Sequence, residues 1–169
     1  MSAPVPIREQ MLAALTSAVS GTYAVDAPVS EREVPITVLL DGEDEALADY
    51  DCIRNNTPVS IARVELAGSA DKTEQRKQAN RIMASIVKDV AANETLGGLA
   101  DGIDYNGGGI SVDVGKFVFG EASFTVRWRH LRGDPYLNEN TAPDPEPEEP
   151  GDPDASEEPE PETEPEHED

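Results

Sequence analysis

The chain has 169 residues, with 35 acidic against 13 basic side chains and a net charge of −22. That length predicts one domain, and so acidic a body argues against sequence-independent binding to nucleic acid, which needs clustered cations. Its one cysteine, Cys52, excludes an internal disulfide and fits a reducing compartment.

The charge is unevenly placed. All thirteen Lys and Arg lie at or before Arg132, whereas the acids divide into twenty in residues 1–138 and fifteen in residues 139–169, giving −7 and −15. The second segment also holds eight of the fourteen prolines and no Val, Ile, Leu, Phe, Trp or Tyr. It cannot bury enough apolar surface to offset its ordering entropy. The expected organisation is therefore a folded domain over 1–138 and a disordered Pro/Glu-rich acidic tail over 139–169. Met1-Ser-Ala-Pro-Val-Pro6 has neither the basic start nor the apolar run of a signal peptide. No stretch approaches the roughly 18–20 apolar residues of a membrane span, which points to a soluble, cytoplasmic product.

Residues 6–20 read as a helix, with Ile7, Met11, Leu15 and Val19 at i, i+4 spacing and Gly21 as its stop. Val34, Ile36, Val38 and Leu40 alternate as a strand whose Pro35 places it at an edge or at its own start. Asp41-Gly-Glu-Asp-Glu45 is a polar turn, residues 48–54 a short strand weakened by Asp49 and Asp51, and 57–67 a better strand. A helix over 71–92 is the clearest element: Asp71 and Glu74 have capping-box spacing, and Ala79, Ile82, Met83, Ile86, Val87 and Val90 form one stripe. Gly97-Gly98 closes it, with Leu96 and Leu99 docking the turn. Two strands, about 108–119 and 121–131, follow as a hairpin turning at Gly120-Glu121, with a bulge at Gly115. Helices on one face of a largely antiparallel sheet of four to five strands make an α+β fold.

Catalytic chemistry finds no foothold in this pattern. His130 ends a strand, His167 lies in the tail, and no serine nor Cys52 has a partner at recognisable spacing. Gly107-Gly108-Gly109 precedes a strand with the wrong spacing for a dinucleotide fingerprint and reads as a flexible loop. No catalytic, cofactor-binding or metal residue is therefore assigned. The acidic stretch 41–51 is a solvated turn in its ordinary reading, with a divalent cation on its carboxylates as the alternative. Lys77, Arg81 and Lys88 share one side of the second helix. That side is either solvated or an electrostatic seam against Asp41, Glu43, Asp44 and Glu45 of a neighbouring subunit, which would add specificity more than affinity.

The order of elements resembles the tail terminator proteins of long-tailed bacteriophages, the group that includes minor tail protein U. The resemblance rests on a first helix with Arg8 near its start, Val34-Pro-Ile-Thr-Val38, Asp51-Cys-Ile53 and Arg81-Ile-Met-Ala-Ser-Ile-Val87. It extends to Leu96-Gly-Gly-Leu-Ala-Asp101 and a hairpin ending in Phe124-Thr-Val-Arg-Trp128, over residues 6–136. It implies a subunit that assembles as a ring, usually a hexamer, at the head-proximal end of the virion tail after assembly in the host cytoplasm. There it would cap the tube, stop polymerisation and offer the surface for head attachment. Its partners would be itself, the tail tube protein and a head-completion (neck) protein, with no membrane and no sequence-specific nucleic acid. The acidic tail departs from the family pattern. Two other readings stay open: another neck or tail ring component, such as a connector or tube subunit, or an interaction module whose acidic tail mimics nucleic acid.

Overall fold

In the computed structural model the described residues are 3–23, 34–112 and 116–139. The tail expected over 139–169 therefore lies outside them apart from Glu139, as does the bulge expected at Gly115. The elements run α1 (Ile7–Ala18), β1 (Thr22–Tyr23), β2 (Ile36–Asp41), β3 (Glu45–Ala48), β4 (Cys52–Leu66), α2 (Lys72–Ala91), a 3-10 turn (Leu96–Gly98), β5 (Gly102–Val112) and β6 (Phe117–Leu131). The sheet order is β1-β2-β4-β6-β5, with β3 beside the first part of β4. Only β1–β2 is parallel. The chain is thus α+β with a mostly antiparallel sheet, and the two-residue β1 raises the expected four to five strands to six.

Local chemistry explains where the helices begin. The Asp71 carboxylate accepts from the backbone N–H of Thr73 at 2.6 Å and of Glu74 at 3.3 Å, satisfying two of the free donors of a helix start. The reciprocal half of a capping box is absent: Glu74 pairs with Lys77, and the Ser69 hydroxyl takes the Asp71 N–H instead. Helix α1 has no side-chain cap; its Ile7 N–H goes to the Pro135 carbonyl, tying the start of the domain to its end.

Both helices bury their stripes against one sheet face. Ile7, Met11 and Leu15 of α1 and Ala79, Ile82, Ile86 and Val90 of α2 meet Val59 and Ile61 of β4 and the even-numbered residues Val118 to Trp128 of β6. Each large side chain so buried contributes roughly 1.5–3 kcal/mol relative to exposure. The joint between α2 and β5 is built as its composition predicts. Leu96 is buried and Leu99 packs on the core, while Gly97 and Gly98 take φ of +70° and +91°, and both Gly98 and Ala100 donate to the Thr95 carbonyl.

Two expectations are corrected. The hairpin does not turn at Gly120-Glu121: Gly120 lies inside β6, paired with Arg63 and Ile110, and β5 ends at Val112. A glycine stands there because α2 rests on the strand backbone. A Cβ at Gly120 would lie 2.7 Å from the Ala79 carbonyl oxygen and 2.7 Å from the Met83 nitrogen. Gly107–Gly109 is likewise no loop but part of β5, whose register shifts between Tyr105 and Gly107. The strand expected from Val34 to Leu40 is present as β2, with Ile36 buried on the second face. Thr37 and Leu39 turn to the helices, Thr37 being buried with its hydroxyl accepting from Arg63, while Leu40 is exposed.

The second sheet face changes character along its length. Near the start of β2 it presents Ile36, Ala62, Val64 and Phe119. In the middle the Ser60 hydroxyl meets Glu121 and Ser123 at 2.8 and 2.9 Å. At the far end Arg54, Arg127 and Arg129 share the face, each paired with an acid: Asp49, Asp104, and Asp101 with Glu139. No described helix is long and apolar enough to cross a membrane.

Candidate functional site

The acidic loop is shaped by its counter-ion. Asp41 closes β2, Gly42 donates its N–H to the Pro58 carbonyl, and Asp44 leads into β3, so both carboxylates turn toward the first turn of α1. Arg8 meets Asp41 at 2.7 Å and Asp44 at 2.9 Å, and also donates to the Gly42 carbonyl. Partial burial opposes the guanidinium charge, but the bonds to Asp41 and Asp44 outweigh it and hold the Arg8 pKa above its ordinary value. Asp44 also accepts from the Thr57 hydroxyl at 2.6 Å, and Thr57 in turn accepts from the Trp128 indole N–H at 2.8 Å. A Trp128–Thr57–Asp44–Arg8 chain, buried at its Trp128–Thr57 end and open to solvent at Asp44, thus joins β6, β4, the loop and α1. Glu43 and Glu45 stay exposed, with no ion-pair partner among the described residues.

The basic side of α2 is also present. Lys77, Arg81 and Lys88 are exposed; Lys77 pairs with Glu74 at 2.8 Å, whereas Arg81 and Lys88 have no ion-pair partner among the described residues. Within one chain the structure does not bring this side to the acidic loop. The loop sits at the β3 side of the sheet, and α2 packs chiefly over β5 and β6 at the other.

Neither a family model nor a curated protein matches this chain.

Two sets of residues lay beyond sequence reasoning. Lys72 and Arg76 border a groove of about 470 Å³ between the start of α2 and the free side of β5, floored by Ile110 and Val112. Their charges were visible, but not the strand beneath them. The arginines 54, 127 and 129 come together only through the β4–β6 register. The bond to Asp101 raises the Arg129 pKa against some desolvation. His130 has its Nδ1 against the Leu131 carbonyl and its ring beside Trp128, and Cys52 is buried. Among the described residues no group of three or more His, Cys, Asp or Glu side chains converges, and Asp41 and Asp44 have Arg8 as their cation.

Proposed function

We propose that this chain is a structural subunit of a bacteriophage tail of the tail-terminator kind. It assembles as a ring, a hexamer by the resemblance, at the head-proximal end of the tail. It caps the tube, ends polymerisation and presents a surface to the head-completion protein. Its work is steric and interfacial, without bond chemistry. The observation that carries this reading is that both helices cover one sheet face, leaving the second face without a covering helix and the outer edge of β5 unpaired among the described residues. The α+β class agrees with what the resemblance over residues 6–136 implies, and a network centred on Arg8, a residue of that resemblance, holds the first helix to the acidic loop.

Purified protein added to a growing preparation of the cognate tail tube subunit should bind tube ends and arrest elongation at a dose set by the number of ends. Tubes that lengthen unhindered, or incorporate the chain along their walls, would contradict the proposal; incorporation would favour a tube subunit.

A further inference from the structure

Three strands of this sheet pair on one side only among the described residues, and one of them, β1, has just two residues. Among the described residues β5 pairs only with β6, and β3 pairs only with β4, at opposite margins of the sheet. An unpaired strand side presents a row of backbone donors and acceptors, and proteins normally blunt it with lysine, proline or extreme shortness. β5 has eleven residues, Gly102–Val112, with neither lysine nor proline. Its only interruption is the register shift at Tyr105/Gly107, and Gly109 has open space where a side chain would stand.

We infer that β3 of one copy adds to the Gly107–Val112 half of β5 of the next, so that the sheet runs on from subunit to subunit. Size fits the join. Ala46 and Ala48 point to the helix side of β3, so an α2 overhanging β5 meets only methyl groups there. Leu47, 55% exposed, points to the opposite face. Charge fits it as well. The loop leading into β3 has Asp41, Glu43 and Asp44 against the single Arg8, and Glu45, the first residue of β3, follows on the Leu47 face. Lys72 and Arg76, which border the groove beside β5, are exposed and have no ion-pair partner among the described residues. A contact between two different sides of the same molecule is heterologous, and its repetition closes into a ring when the rotation between copies allows. Backbone pairing supplies the attachment and the charges fix which sides meet.

This inference rests on the ring reading above and is tested by charge reversal. Lys72→Glu/Arg76→Glu makes both margins acidic, and Glu43→Lys/Glu45→Lys makes both basic. Neither variant should assemble alone, its mass by light scattering falling to that of one 18.1 kDa chain, while circular dichroism stays that of the folded wild type. Lys72→Glu is placed in the first turn of α2, where the helix dipole favours an acid. Mixed one to one, the variants should form closed assemblies with the two chains in equal numbers, since every junction again joins opposite charges. Should either double variant unfold, Arg76→Glu and Glu43→Lys singly should each raise the concentration needed for assembly, and mixing the two should lower it again; no change in either case overturns the junction. Folded variants that assemble alone, or that stay apart when mixed, overturn the β3–β5 junction and leave the ring reading intact. Wild-type protein that is monomeric at every concentration overturns both.

Discussion

Gly120 offers the sharpest test of the packing. A methyl group there would meet the Ala79 carbonyl oxygen and the Met83 nitrogen at 2.7 Å, and the Ile82 Cβ at 2.9 Å. Ordinary contacts of this kind need about 3.5 Å or more, so α2 must lift from β6 by close to 1 Å. Two of those three atoms are helix backbone and cannot rotate away. Overpacking of this sort costs about 1–3 kcal/mol, against roughly 0.5–1 kcal/mol regained by replacing a strand glycine. Gly120→Ala should therefore lose about 1–2 kcal/mol, and Gly120→Val more. Gly109 lies one pair along on the neighbouring strand, opposite Glu121, with no atom within 4 Å of the added Cβ. Gly109→Ala should be neutral or about 0.5 kcal/mol stabilising. Urea unfolding with matched slopes separates the two. Equal stability of the variants would refute the close approach of α2 to the strand.

Three further outcomes follow from the joints. Thr57→Val removes the hydroxyl shared by Trp128 and Asp44, leaving a buried indole N–H without its acceptor. It should cost about 1–3 kcal/mol and shift the emission of the only tryptophan, while Thr57→Ser retains most of the stability. Gly97→Val forces a β-branched residue to φ +70° and should cost about 1–3 kcal/mol, so that the melting temperature falls and assembly fails only as a consequence; a normally folded variant that cannot assemble would make the turn itself an interface. Ending the chain at Asn138 removes only the surface pair between Glu139 and Arg129 from the described contacts, and thermal unfolding should show a loss below about 1 kcal/mol.

Much of this architecture was legible because short-range signals agreed with tertiary demands. Helix α2 has a capping aspartate, an apolar stripe and a glycine-rich exit, and it falls within a residue of its expected bounds at each end. In β6 strict alternation survives from Val118 to Trp128 because one face is buried throughout. Gly120 misled because glycine marks both turns and close approaches, and only the position of α2 decides between them. β4 was read as two strands, 48–54 and 57–67, because Asn55 and Asn56 between them look unlike a central strand. Pro58 is tolerated where β2 has ended and β3 has not begun, so on that side no strand calls on its missing N–H. At the candidate interface the charges were readable, but not their partners. Arg8 and Asp44 are 36 positions apart and meet only once α1 has packed on the core. The groove under Lys72 and Arg76 likewise required the course of β5.

The most direct test of the central claim is the molar mass of purified wild-type protein by light scattering, with negative-stain images of the same sample. The ring account predicts a single closed species, a fixed small multiple of 18.1 kDa with a central opening. A monomer at all concentrations, or polymers of indefinite length, would contradict it.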